Sequence, residues 1–304
     1  MNKHIVFFAT FIAVSSLCCL KSKGQTASSD SSFTMVFMTD IHLQPELNAV
    51  EGFRKAIDTI NKLNPELVIT GGDNIMDALR QKQSRADSLY SLYLQEVGKL
   101  EMPIYHAIGN HEPFGILSSG KVDTTNALYG KKIFKQKLGK NFYAIEHKNW
   151  KFFVLDPIEY DTAHKLHGQI KQEQIAWIKN ELAKTKKNTP IAIVLHVPLL
   201  SSISQINNGA TAPNSAGLVV ENSKQVLDLF KTYNLKLILQ GHLHILEDNY
   251  IGGIHFITGG AVCSDMWKGK RDGLEEGFVY LTFEGEKFGW KYVDYGWKPE
   301  KARK

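Results

Sequence analysis

The chain has 304 residues, 43% hydrophobic and 22% charged, with only 9 Pro. That is the make-up of an ordinary globular protein with ample length for a buried core, which excludes a disordered, collagen-like or coiled-coil chain. The formal charge of +5 includes Lys3, Lys21 and Lys23 of the leader described next, so the remainder is close to neutral and gives no case for a nucleic-acid partner.

Residues 1–24 have the three-part pattern of a signal peptide: Lys3, an apolar run over 5–20 that is short for a membrane span, then small and polar residues. Ser22 and Gly24 put small side chains at minus three and minus one of a cut before Gln25. The expectation is a periplasmic or secreted mature chain without a transmembrane span. Two alternatives stay open: an uncleaved anchor, and a lipid anchor through Cys18 or Cys19, where Leu17 and Cys18 stand in place of the usual preceding small residue. Residues 25–32 read as a polar linker. Cys263 is then the one cysteine of the mature chain, which excludes an intrachain disulfide, and it reads as a small buried hydrophobe.

A β-rich run over 33–39 is followed by helical periodicity over 46–63, with Val50, Phe53, Ile57 and Ile60 three and four apart. Pro65 ends it. Residues 66–70 read as a strand, 77–100 as a long helix, and 103–108 as a third strand; strand, helix, strand, helix, strand implies a parallel sheet with helical crossovers. From Asn141 the pattern changes to a hairpin over 142–146 and 151–155. A helix over 169–184 then leads to 190–195, a strand so apolar that both its faces must be covered. A helix over 221–233, a strand over 235–239, and strands over 250–257, 277–283 and 287–293 complete one domain, 33–297, with a basic tail at 298–304.

The informative residues stand just past the ends of predicted strands: Asp40-Ile41-His42, Gly72-Asp73, Gly109-Asn110-His111-Glu112, His196, and Gly241-His242-Leu243-His244. Each alone has a bland reading, His42 and Asn110 as turn residues and His196 as a satisfied core histidine. In open α/β sheets, however, ligands bind in the crevice outside the carboxyl ends of the strands, so five separate strand ends converge on one place. Carboxylate oxygen and imidazole nitrogen without thiolate suit divalent Mn, Fe or Zn, and seven ligand types exceed what one tetrahedral ion uses, which points to two ions sharing a carboxylate.

This ordered series resembles the calcineurin-like metallophosphoesterases, in block order and in spacing, from residue 33 to about 258. The helix carrying Gln174 and Trp177 is similar to one in the secreted, cyclic-nucleotide-phosphodiesterase-like members. The resemblance implies an α/β fold, a four-layer αββα sandwich of two stacked mixed sheets flanked by helices. It implies two divalent metal ions, one held by Asp40, His42 and His244, the other by Asn110, His196 and His242, with Asp73 bridging. It implies attack of a metal-bridging hydroxide on a small phosphate-ester substrate, with His111 beside the pair, donating a proton to the departing alkoxide or stabilising the phosphoryl oxygens. One position departs from the family pattern: many relatives have an acid three residues after the bridging Asp, where this chain has Met76, followed by Asp77. Asp77 has two readings, a partner of His111 or a helix N-cap.

Substrate choice falls to the loops. Trp267, Lys268 and Arg271, just after the last ligand block, are candidate substrate contacts, an aromatic face and two cations at the mouth of the site; a solvated surface loop is the plain alternative. Residues 201–217, rich in Ser, Asn, Ala and Gly, read as a rim. Both a phosphodiesterase, slightly favoured, and a phosphomonoesterase fit, and the alternative from another class is a non-catalytic binding or scaffold protein of the cell envelope that keeps the fold.

Overall fold

Strands that are apolar on both faces need cover on both sides, and such strands, joined by amphipathic helices, build layers. The computed structural model describes residues 31–117 and 122–299, so the signal-peptide and lipid-anchor expectations lie outside the described residues, as do most of the linker and the end of the tail. The first half runs β1 (Ser32–Met38), α1 (Ala49–Leu63), β2 (Leu67–Thr70), α2 (Gln83–Val97), β3 (Ile104–His106) and α3 (Lys132–Lys137). It is followed by β4 (Tyr143–His147), β5 (Trp150–Val154), β6 (Ile158–Tyr160), β7 (Leu166–Gly168), α4 (Gln172–Ala183) and β8 (Pro190–Leu195). The remainder is α5 (Ile203–Asn208), α6 (Ser223–Phe230), β9 (Asn234–Gln240), β10 (Leu246–Ile251), β11 (Ile254–Gly259), β12 (Gly277–Glu284) and β13 (Lys287–Asp294).

One sheet has the order β13-β12-β1-β2-β3, the other β10-β11-β9-β8-β5-β4, and β6 pairs with β7 as a separate hairpin. Both main sheets are mixed: β1, β2 and β3 run parallel while β12 joins β1 antiparallel, and β5, β8, β9 and β11 run parallel with antiparallel edges. Side-chain alternation divides the core into three slabs. Phe33, Met35 and Phe37 of β1 meet Phe152, Val154, Val194 and Leu239 between the sheets. On the opposite face of β1, Val36 and Met38 pack under Phe53, Ile57 and Ile60 of α1 and Tyr90 and Tyr93 of α2. Behind the second sheet, Phe153, Ile191, Ile193 and Ile238 pack against Ile175, Ile178 and Leu182 of α4 and Val226 and Phe230 of α6. Helix, sheet, sheet, helix is the four-layer α/β sandwich that the sequence motifs imply.

Three departures from the sequence reading have local causes. The helix expected from residue 77 starts at Gln83, because the stretch before it is bound to the site loops: Ala78 N–H donates to the His111 carbonyl, and Gly115 N–H and Leu117 N–H donate to Ala78 and Leu79. The single strand expected over 250–257 is two strands, β10 and β11, folded back at Gly252-Gly253, whose φ values of 61° and 86° suit glycine. The short elements α3, α5, β6 and β7 were below the length at which periodicity can be read. No helix among the described residues is long and apolar enough to cross a membrane.

Phe37 is fully buried between the sheets, and its ring fills the space beside Gly71 and Gly259 at two strand ends. Phe37→Ala is expected to destabilise the fold by about 3–5 kcal/mol, measured by urea unfolding; a loss below about 1 kcal/mol would show that the slab collapses around the cavity.

Candidate metal centre

The strand ends turn sharply. Asp40, His42, Asp73, His242 and His244 all have left-handed φ, between 45° and 73°, conformations that cost non-glycine residues energy and cluster at functional sites. Backbone bonds between the loops hold them there: Asp40 N–H donates to Gly72, and Ile41 and His42 N–H both donate to the Asp73 carbonyl. A Cβ on Gly241 would overlap Thr39 Oγ1, so only glycine lets this loop close on Asp40. Thr39 Oγ1 and His242 N–H then donate to the Asp40 carboxylate, which joins the first ligand block to the last.

All seven candidate ligands arrive in one cluster. Asp73 Oδ2 lies 3.1 Å from His196 Nε2 and 3.5 Å from His42 Nε2. His42 Nε2 and His244 Nε2 face each other at 3.2 Å, and Asp40 Oδ1 is 3.3 Å from His244 Nε2. Asn110 Oδ1 lies 3.0 Å from His196 Nε2, and the His196 and His242 rings are 5.1 Å apart. Asp73 belongs to two groups of potential metal donors, one with His42 and His111 and one with His196 and His242, the arrangement a bridging carboxylate requires.

The far ring nitrogens fix which atom each histidine presents. His196 Nδ1 lies 2.8 Å from the Gly71 carbonyl and His244 Nδ1 2.7 Å from the Ser264 carbonyl, so Nδ1 of each donates outward and Nε2 is the atom that faces the cluster. His242 is the reverse, with Nε2 donating to the Gly217 carbonyl at 2.8 Å and Nδ1 left for a cation. Burial holds the His42 pKa down to about 3 and that of His242 down to about 4, which keeps both neutral. Burial also works against charge on His196, but the Asp73 carboxylate outweighs it and carries the pKa up to about 9. His244 is likewise raised against burial, by Cys263 and Asp40. Burial opposes the charge on Asp73 as well, yet His196 and His111 hold its carboxyl well below the usual range.

Behind the ligands lies Glu112, which the sequence showed within the Gly109-Asn110-His111-Glu112 block without a role. It is fully buried and accepts N–H bonds from Gly109 at 2.6 Å, Asn74 at 2.6 Å and Asp73 at 3.0 Å. His111 stands at the edge of the cluster, its Nε2 4.0 Å from Asp73 Oδ2 and its ring 4.8 Å from that of His42. Asp77 Oδ1 accepts the Leu79 N–H, capping a turn ahead of α2, and lies 3.8 Å from His111 Nδ1, an atom that is buried without a hydrogen-bond partner. Both readings of Asp77 therefore meet in one side chain, a turn cap within a short movement of His111.

The sequence matches the family model described as calcineurin-like phosphoesterase over residues 33–246. The chain belongs to the calcineurin-like phosphoesterase family. Its fold is similar to a dimetal phosphatase from Danio rerio, with a TM-score of 0.59 and 14% identity, covering 87% of this chain and 99% of that one. It is also similar to a purple acid phosphatase from yellow lupin seeds, with a TM-score of 0.55 and 14% identity, over 87% of this chain and 52% of that one. GAP50, the anchor in the inner membrane complex of Plasmodium, has the same TM-score of 0.55 and 14% identity over 87% of this chain and 85% of its own. At these identities the likeness is one of fold. No curated protein matches the chain.

Two details of this calcineurin-like centre differ from the sequence expectation. Trp267 does not face substrate: it is 1% exposed, its indole N–H donates to the Ile41 and His42 carbonyls, and its ring packs on Gly52 and edge-on to Trp297. It supports the first ligand loop from below, a role invisible in sequence because Gly52 and Trp267 are distant in the chain. Lys268 and Arg271 are exposed on the same loop. Cys263, read as a plain buried hydrophobe, lies with Sγ 3.9 Å from His244 Nδ1 and joins His42 and His244 in a third group of potential donors. Trp267→Ala is expected to cost about 3–5 kcal/mol in urea unfolding. Unchanged stability with a raised KM would return Trp267 to a substrate-contact role.

Proposed function

We propose that the chain is a secreted or periplasmic phosphoesterase that holds two divalent metal ions and hydrolyses a phosphate diester or monoester. One observation carries this reading: seven oxygen and nitrogen donors from five strand ends converge around the Asp73 carboxylate. The donor set fits the ions. Two imidazole nitrogens 3.2 Å apart, each beside a carboxylate, need a cation or a proton between them, and the backbone carbonyls behind His196 and His244 already take the other ring protons. Asp40, His42, Asp73 and His244 would hold one ion, and Asp73, Asn110, His196 and His242 the other. Mn, Fe and Zn all accept such donors. When bound, the pair supplies a water of lowered pKa and positive charge against the phosphoryl oxygens.

The chain's own groups do the rest. The Asp73 N–H is held by the Glu112 carboxylate and the Asn110 carbonyl by the Tyr160 phenol, so the donors are fixed before substrate arrives. His111, 20% exposed at the side-chain level, is the group placed to give a proton to the leaving oxygen, with Asp77 positioned to orient its Nδ1. No side-chain nucleophile is required. The family fold also serves in a protein described as an anchor, so a scaffold reading competes, and the full set of ligand types in this chain counts against it.

Purified protein is expected to contain about two metal ions per chain and to hydrolyse aryl phosphate esters in a chelator-sensitive manner. The ratio of bis-aryl to mono-aryl turnover assigns the substrate class. Asp73→Asn should abolish turnover while leaving the metal-free fold intact; appreciable turnover in that variant rejects the two-metal reading, and folded, metal-free, inactive wild-type protein favours the scaffold.

Proton linkage provides an independent check. With His196 near 9 and His244 raised, both carry a proton at pH 7 in the metal-free chain. Metal addition at pH 7 is expected to release about two protons per chain, measured by calorimetry in buffers of different ionisation enthalpy, and apparent affinity should climb from pH 7 to 9. Metal uptake without proton release would rule out the displacement of protons from His196 and His244.

A further inference from the structure

A cavity of about 440 Å³ lies beside the candidate centre, and none of the seven candidate ligands lines it. Tyr160 is the shared wall: its phenol donates to the Asn110 carbonyl at 2.6 Å, and the residue lines the cavity. Ile116, on the loop leading away from His111, forms another part of the wall. A second cavity of about 500 Å³ shares Lys135, Asn141, Phe142 and Glu173 with the first, so the space continues away from the centre toward Trp177. The hairpin β6–β7 fences this region, because Gly168 N–H at its far end donates to Ala216, next to the Gly217 carbonyl that holds His242.

The charges deepest in the cavity are already committed. Lys131 Nζ donates to Asp156 at 2.7 Å and to Glu159 at 2.9 Å, and Lys171 Nζ lies 2.6 Å from the other Glu159 oxygen. Asn141 donates to the same Asp156 carboxylate, whose backbone Gln174 grips from both sides. Lys135 and Glu173, at the rim, are of opposite sign. Lys131 and Lys171 are thus spent on carboxylates, and Asp156, Glu159, Asp161 and Glu173 together outweigh Lys131, Lys135 and Lys171 in the lining, so a second phosphate is disfavoured, while Tyr129, Phe142, Tyr160, Ile116 and Ile158 offer ring and aliphatic surface.

We infer that this cavity receives the alcohol side of the ester, and that this alcohol is an uncharged, ring-bearing group. The inference rests on the phosphoesterase reading for the word ester and on the cavity alone for the word ring.

The full chain with Mn is assayed on methyl, benzyl and 4-carboxybenzyl phosphate mono- and diesters, and benzyl alcohol binding to the same protein is followed by ligand-observed NMR. Benzyl esters are expected to exceed both the methyl and the 4-carboxybenzyl esters about tenfold in kcat/KM. Ile116→Trp and Glu173→Trp narrow the cavity from different elements, and each is expected to cut that preference about tenfold and to remove the benzyl alcohol signal, with far-UV circular dichroism reporting that the variants fold. Equal kcat/KM for the three esters, or a folded Trp variant that keeps the preference, overturns the inference. No turnover on any ester, with benzyl alcohol binding that the Trp variants abolish, supports the cavity and removes the phosphoesterase reading; no turnover and no binding overturns both.

Discussion

The Glu112 carboxylate gathers the N–H groups of Gly109, Asn74 and Asp73, and by doing so welds the ends of β2 and β3 into one unit. Burial and the neighbouring Asp73 charge push its pKa up to about 8, so a negative charge here is expensive, and the converging backbone donors offset part of that cost. The placement of Asp73 follows from this bond set. Its backbone is held by Glu112, its Oδ1 accepts the His111 N–H at 2.8 Å, and its Oδ2 is left facing His196 and His42. Tyr90 of α2 donates to the Glu112 carbonyl, which extends the same restraint into the outer helical layer.

The candidate histidines depend on a similar device one shell further out. Carbonyls of Gly71, Gly217 and Ser264, from three different loops, choose the ring nitrogen that each of His196, His242 and His244 presents. A histidine on a strand end is otherwise free to turn about two bonds and to carry its proton on either nitrogen. Fixing both in advance removes entropy that binding would otherwise have to supply. The left-handed backbone at Asp40, His42, Asp73, His242 and His244 is strain tolerated for that aim, and the three apolar slabs on either side keep it from relaxing.

Much of this was legible in the residues. The strand over 190–195 was placed to the residue because six consecutive apolar side chains admit no solvent face, and α1 was placed by its three-and-four spacing. The candidate ligands were legible as a set because strand ends of α/β sheets gather at one edge, and here the ends of both stacked sheets open on the same side, so Asp40 after β1 and His244 after β9 meet despite their separation in sequence. What stayed hidden depends on tertiary contact. Trp267 looked like a loop aromatic until Gly52 was seen to make room for it, and nothing local to Tyr160 reveals the Asn110 carbonyl it reaches. The start of α2 was misplaced because residues 78 and 79 bond to the site loop instead of to the helix that follows.

The strand order has a bearing on how the molecule assembles. β1, made first, lies in the middle of its sheet between β2 and β12, pairing Phe37 with Ile69 on one side and with Val279 on the other. Its second partner lies far along the chain, and such long-range pairing is slow because loop-closure entropy is lost before contacts form. Val262 and Cys263 N–H, which donate to Thr39 and Asp40, are equally late. The apolar β1 edge therefore stays unpaired until β12 docks, and the Asp40-His42 half of the centre is completed only when residues 262 and 263 close on it. An order of events in which folding precedes cation uptake follows from this topology.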